Sequence, residues 1–194
     1  MLNPDMIFKD LIKKYSLEKK QKYKRFANLM TADVTVTPQN YYYIESGIVK
    51  YYYYNKEVQK EVIFCLLSAG DTILPCKVIP YNIPASLSIQ VIADAVLYTI
   101  SDDDVRMLYE KEPIFNELVH LSMEQVFYKM IETAKINVYS DTLTRYEKLL
   151  ETYPYLRQVS DKNVAAILGV DRTTVTRIKK ELIIKMKKAA KPKK

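Results

Sequence analysis

Glycine is scarce in this 194-residue chain, which has only Gly47, Gly70 and Gly169. A glycine-rich loop that cradles phosphates is therefore absent. Histidine occurs once, as His120, and cysteine twice, as Cys65 and Cys76. Two cysteines are too few for an iron–sulfur ligand set. His120 has no second histidine and no cysteine near it in sequence, so it reads as an ordinary residue rather than a metal or haem ligand. No nucleophile with a base, and no paired acids with a partner, can be assembled. Neither an enzymatic activity nor a cofactor is expected. The apolar neighbours of both cysteines point to buried thiols and a reducing, cytoplasmic setting. No apolar run approaches the ~20 residues a membrane helix needs, and the opening residues lack the apolar core of a signal peptide.

What is present is a globular composition with an uneven charge. Hydrophobic residues make up 48%, enough for one large or two small cores. The net charge is +7. From Ser140 to Lys194 there are 14 Lys and Arg against 6 Asp and Glu, a balance of +8, which leaves −1 for Met1 to Tyr139. All the excess positive charge lies in the last third, as phosphate binding would require. For Lys185 to Lys194 alone, a solvated tail and a DNA contact are both open.

The same basic third holds the most specific pattern, Asp161 to Leu182. Asn163–Leu168 and Arg172–Leu182 read as two short helices, with Gly169 at the turn between them. Asp171 is placed to cap the second helix. Val164, Leu168, Val170, Val175 and Ile178 are spaced to share one small core, and Ala165 is small enough for a close helix crossing. This is a helix-turn-helix pattern, whose second helix enters the DNA major groove. Another kind of helical hairpin fits the apolar spacing. It does not account for an outward face made of donors: Arg172, Thr173, Thr176, Arg177 and Lys180.

Ahead of it the order is helical, then strand-like, then helical. Asn3-Pro4 opens a helix carrying Ile7, Phe8, Leu11, Ile12 and Tyr15. A second is predicted from Ser16, with Tyr23, Phe26, Leu29 and Met30 on one face. From Asp33 to Ile100 the period changes to two. Runs rich in Val, Ile and Tyr are separated by turn residues at 37–40, at Glu45-Ser46-Gly47, at Asn55-Lys56-Glu57 and at Ala69-Gly70-Asp71. This spacing predicts an antiparallel sandwich or barrel. The tyrosine clusters 41–43 and 51–54 suit alternate core and surface positions better than a base-stacking platform. Ser101-Asp102-Asp103-Asp104 caps a short helix to about Lys111. Pro113 opens a long one to about Val138, with Phe115, Val119, Ser122, Val126, Met130 and Thr133 as a candidate dimer stripe, or as a face packed on the chain's own barrel. A further helix runs from Ser140 to about Thr152 and stops at Tyr153-Pro154-Tyr155.

This order resembles the Crp/Fnr family of bacterial transcription regulators over nearly the whole chain. TLTRYEKLLETYPYL resembles the family's helix with an Arg-Tyr pair and a Tyr-Pro turn, and VAAILGVDRTTVTRIKKEL its helix-turn-helix. YYYIESGIVKYYY, LLSAGDTI and AVLYTISDDDVRML resemble its barrel hairpin, the start of its ligand cassette and its last barrel strand. The resemblance implies an α+β fold. Residues 1–111 would be a sensor jelly-roll β-barrel like those that bind cyclic nucleotides, with flanking helices. Residues 112–138 would be a dimerisation helix and 139–194 the helix-turn-helix domain. It also implies a homodimer on a palindromic double-stranded DNA operator, with RNA polymerase as a further partner and no membrane.

Two departures bear on function. Members that bind cyclic AMP hold its phosphate with an arginine and a serine a short way after Gly-Glu. Here Gly70-Asp71 leads into a longer, proline-broken segment, and the matching positions hold Leu87 and Ser88. No arginine lies between Gly70 and Arg106, and Lys77 offers only a point charge on a flexible stem. A buried phosphate without a guanidinium would be uncompensated. The pocket positions Gly70, Asp71, Leu87 and Ser88 thus imply a barrel with no ligand, or one whose unknown small-molecule effector controls DNA binding. The oxygen-sensing branch needs an N-terminal cysteine cluster that this chain lacks. In the reading helix, the family's arginine, glutamate and second arginine match Arg172, Thr173 and Arg177. The arginines suit guanine O6 and N7, while threonine loses an acceptor for cytosine N4. Thr174, Thr176, Lys179 and Lys180 are expected on phosphates and sugars.

Overall fold

The computed structural model describes residues 4–17, 19–31, 40–73 and 87–189. The strand expected at 33–37, Cys76, Lys77, most of the proline-broken segment and the last lysines lie outside the described residues. Helix α1 (Pro4–Lys14) precedes strands β1 (Lys20–Tyr23), β2 (Asn28–Met30), β3 (Tyr41–Asn55), β4 (Lys60–Ser68), β5 (Thr72–Ile73) and β6 (Ser88–Ile100). Helices α2 (Asp102–Lys111), α3 (Pro113–Ile136) and α4 (Thr142–Thr152) follow, then a 3₁₀ turn at Pro154–Gln158, α5 (Asp161–Leu168) and α6 (Arg172–Ala189). Ser101 caps α2 through a reciprocal capping box with Asp104, as its Ser-x-x-Asp spacing allows.

The six strands form one antiparallel sheet in the order β1-β6-β3-β4, with β2 also on β6 and β5 on β3. Among the described residues β1 and β4 do not pair, so the described sheet is open where a closed barrel was expected. Its spine is the ladder between β3 and β6, running from Tyr41 opposite Ile100 to Tyr52 opposite Ser88. Both strands are continuous, although turn-like residues divide β3 into two runs in the sequence. Glu45-Ser46-Gly47 is a ladder irregularity rather than a turn. Gly47 has φ of +100°, and a Cβ there would come within 2.5 Å of Ala95 Cα on β6.

The helix expected from Ser16 is not formed. Ser16 takes φ of +52°, the chain leaves α1, and residues 20–23 pair with Ala95–Tyr98 of β6 instead. Edge pairing supplied by a distant strand outweighs the local helical spacing of Tyr23, Phe26 and Met30.

The sheet is covered on both faces, which changes the tyrosine pattern. Tyr42 faces a core with Ile44, Val49, Val91 and Leu97. Its neighbour Tyr43 faces another with Phe8, Ile100, Leu108 and Phe115. Tyr43 stacks on Phe8, ring centroids 5.1 Å apart, and its hydroxyl donates to Asp5. Consecutive burial replaces the expected alternation at 42–44 because α1 and α2 pack on the side that would otherwise be wet. Of the second cluster, Tyr51 is buried while Tyr53 and Tyr54 are exposed.

Helix α3 lies along the sheet. Phe115, Ser122 and Thr133 are buried, and Val126 and Met130 pack against the core that holds Tyr42. Lys129 reaches Asp71 at 2.5 Å. The stripe expected at a dimer seam is therefore used against the protein's own sheet. The outward face of α3 carries Met123, Phe127, Tyr128 and Ile131, all exposed.

Gly47→Ala should therefore lower stability by about 3 kcal/mol, from a strained positive φ plus overpacking against β6. In thermal unfolding this corresponds to a melting point lower by roughly 6–12 °C. An unchanged melting point would mean that β6 does not approach β3 closely there.

Candidate nucleic-acid interface

Helix α4 starts at Asp141, whose carboxylate accepts from the Thr144 amide at 2.8 Å and its hydroxyl at 2.7 Å. Leu149 on α4, then Tyr153, Leu156 and Val159 beyond it, are buried in one core with Val164, Ala165, Ile167, Leu168, Val175 and Ile178. Val170 packs against it partly buried. The five apolar positions and the small Ala165 expected to meet do meet. Ile167, which the expected set omits, is buried with them because α5 has apolar surface on two sides.

The turn geometry follows from three residues. Ser160 caps α5, its hydroxyl accepting from the Asn163 amide at 3.4 Å. Gly169 takes the left-handed conformation at φ of +63°. Nothing lies within 4 Å of where its Cβ would stand, so backbone conformation, not space, requires glycine. The Asp171 carbonyl then accepts from the amides of Thr174 and Val175, opening α6.

A polar tie holds the far end of α5. Arg145 donates to Asn137 Oδ1 at 2.6 Å and to the Leu168 carbonyl. Asn137 donates to the Ile167 carbonyl at 3.1 Å. Cationic and amide donors thus meet the negative end of α5 and fasten it to the end of α3. The Arg145-Tyr146 pair was visible in the sequence, but this role was not, because both partners are remote backbone groups.

Helix α6 presents Arg172, Thr173, Thr176, Arg177 and Lys180 exposed to solvent, with Val175 and Ile178 buried behind them. Thr174 and Lys179 are half-buried. The Lys179 ammonium is held by Asp161 of α5. The Thr176 hydroxyl donates to the Arg172 carbonyl at 3.3 Å and to Asp161 at 3.4 Å. Arg177 approaches Glu181 only loosely, at 3.8 Å. The helix continues to Ala189 rather than stopping near Leu182, and Lys185 pairs with Glu147 at 2.6 Å.

The helix-turn-helix is packed onto the sheet. Ile48, Ile63, Leu66 and Ile92 belong to the same buried cluster as the helix-turn-helix core. The Tyr155 hydroxyl donates to the Leu66 carbonyl at 3.0 Å, and the Tyr153 hydroxyl lies 2.8 Å from Thr133 Oγ1. Burial pushes the pKa of both phenols well above the ordinary tyrosine value.

The four expected pocket positions are placed as follows. Gly70 forms the turn before β5, its amide bonded to the Ile44 carbonyl. Asp71 is turned to Lys129 and also accepts from the Ser68 amide at 2.7 Å. Leu87 packs partly buried against the core that holds Tyr42. Ser88 is buried opposite Tyr52, at the other end of β3 from Ile44. Cys65 is buried, while His120 is exposed and lies 3.2 Å from Glu124. Among the described residues no cluster of three metal-ligating side chains occurs, and no helix is long and apolar enough to cross a membrane.

Asp161→Ala should release Lys179 and remove an acid from the positive end of α5. The pair is partly exposed, so the expected loss is about 1 kcal/mol in urea unfolding. No loss at all would mean that Asp161 does not bind Lys179 in solution.

No protein-family model matches the chain, and no curated protein matches it in sequence. Solved structures do match. The c-di-GMP-responsive global regulator CLP of Xanthomonas campestris superposes at a TM-score of 0.68 with 14% identity, over 91% of this chain and 92% of that one. FixK2 of Bradyrhizobium japonicum gives 0.70 with 13% identity, over 86% and 85%. A CRP/FNR-family transcriptional regulator of Thermus thermophilus gives 0.66 with 14% identity, over 86% and 87%. From its first helix to its helix-turn-helix, the chain has the fold of the Crp/Fnr transcription regulators.

Proposed function

We propose that this protein is a sequence-specific DNA-binding transcription regulator of Crp/Fnr type, acting as a homodimer on a palindromic operator in the cytoplasm. It is not an enzyme. The observation that carries the reading is the exposed donor face of α6, set on a buried core in helix-turn-helix geometry. Residues 1–111 act as the sensor, 112–138 as the dimerisation helix and 139–194 as the reader, with RNA polymerase as a further partner. The regulator does not respond to cyclic AMP, because no arginine stands where a cyclic phosphate would need one and Asp71 is engaged by Lys129. Whether a different small molecule acts on the sensor is the alternative reading.

In this scheme Arg172, in the first turn of α6, reads one base edge and Arg177 a second. At ~100° per residue the two are about 140° apart around the axis. They therefore reach different base pairs rather than sharing a stripe. Thr173, Thr174, Thr176 and Lys180 contact phosphates or base edges nearby. Lys179 contributes through its tie to Asp161, which sets the angle between the two helices. The dimer forms on the outward face of α3, where Met123, Phe127 and Ile131 recur every fourth residue.

Selection of bound duplexes from a random pool tests the readout. Arg172→Ala and Arg177→Ala should each cost about 1–3 kcal/mol on the selected site and relax one position. Lys180→Ala should weaken all sequences alike and reduce the salt slope by about one. Uniform weakening without relaxation for both arginines would refute base reading. For assembly, Phe127→Asp should give monomers by light scattering. A Phe127→Asp protein that remains dimeric would place the interface elsewhere.

A further inference from the structure

Helix α6 is longer than its packed part. It runs for 18 residues, Arg172–Ala189, about 27 Å at 1.5 Å per residue. Its share of the buried core ends at Leu182, which packs partly buried against that core. Beyond this point Ile183, Ile184 and Met186 are each more than half exposed. None of the three belongs to a buried cluster among the described residues. Three large apolar side chains exposed within four residues exceed the single scattered ones of an ordinary surface.

The rotation of the helix decides which side they occupy. At ~100° per residue, Thr173, Thr176, Arg177, Ile183, Ile184 and Lys187 all lie within about 60° of Lys180 around the axis. They recur at intervals of three and four, so they form one stripe, and all are exposed. Met186 stands about 120° from Lys180 and falls off the stripe. Lys185 stands about 140° away in the other direction and pairs with Glu147 of α4 at 2.6 Å. That pair sets this turn of the helix against α4, with the stripe on the far side.

The exposed donor face of α6 thus continues past Lys180, and its continuation is apolar. Phosphates and sugar oxygens offer nothing to isoleucine. In the major groove the one methyl group on a base edge is that of thymine. Ile184 lies seven residues beyond Arg177. This is about 10 Å along the axis, or roughly three base pairs at 3.4 Å each.

We propose that Ile183 and Ile184 extend the reading face of α6 and select thymine by contact with its methyl group, while Lys187 holds a phosphate. The thymine lies about three base pairs beyond the base read by Arg177. Cytosine is rejected there, because its edge carries an amino donor and no methyl. The inference rests on the function proposed above and adds an operator position that the two arginines do not read.

Deoxyuridine tests it, since it removes the thymine methyl and leaves the rest of the base edge unchanged. Each thymine of the duplex selected from the random pool is replaced in turn, and binding of the full chain is measured at fixed salt. Wild type should lose about fourfold in affinity at one or two thymines, about two to four base pairs from the position relaxed in Arg177→Ala. Ile183→Ala/Ile184→Ala changes two exposed positions and should melt as wild type does. It should bind the thymine and deoxyuridine duplexes within about twofold of each other. Lys187→Ala should keep the deoxyuridine penalty and lower the salt slope by about one. Indifference of wild type to deoxyuridine at every position would overturn the inference. A double variant that keeps the full penalty would also overturn it and give methyl reading to Thr173 or Thr176. A double variant that becomes monomeric by light scattering, with its deoxyuridine penalty intact, would assign the isoleucines to a second copy instead. In all three cases base reading by Arg172 and Arg177 stands. A chain that selects no sequence from the pool would sink the function proposed above and this inference with it.

Discussion

The packing of the reader onto β4 decides where everything functional lies. Tyr155 reaches across to the Leu66 carbonyl, while Ile48, Ile63 and Leu66 of the sheet are buried with Val159, Val164 and Leu168 of the reader. Apolar burial supplies most of the energy of such a seam. The two tyrosine hydroxyls supply direction, because an unmet buried hydroxyl would cost more than it returns. Since α5 is fixed at both ends, by Ser160 at its start and Arg145 with Asn137 at its finish, α6 inherits a set orientation. Its donor face is then turned away from the shared core.

The same seam gives α3 two tasks. One face packs on the sheet through Phe115, Ser122 and Thr133, and Lys129 ties it to Asp71 in the turn before β5. The opposite face is apolar and exposed. A change at the turn before β5 is therefore one ion pair away from the helix proposed to join two copies. Such coupling needs no long pathway, only two arrangements of a packed contact.

Much of this was legible in the sequence, for local reasons. The helix-turn-helix declared itself because its glycine, its small residue and its apolar spacing all respond to one short-range geometry. The cap at Ser101 did so too. What was not legible depended on distant partners. Residues 20–30 have helical spacing, and only the free edge of β6 makes them strands. Gly47 looks like a turn glycine until Ala95 is seen against it. Tyr42 and Tyr43 break the period of two because helices cover the face that alternation would leave to water. The apolar stripe of α3 was read as a dimer seam or as packing on the chain's own barrel, and spacing cannot say which neighbour covers a face; the sheet covers it. Leu87 and Ser88 were matched to a pocket by position alone, and the residues between them and Asp71 are largely outside those described.

Guanine N7 methylation interference on a selected duplex tests the central claim most directly, because it reports major-groove readout and two-fold symmetry together. The account requires interference at guanines in two inverted half-sites, about 34 Å or a multiple of it apart along the helix axis. Binding indifferent to N7 methylation, or interference confined to a single unpaired cluster, would contradict a dimer that reads guanine through Arg172 and Arg177.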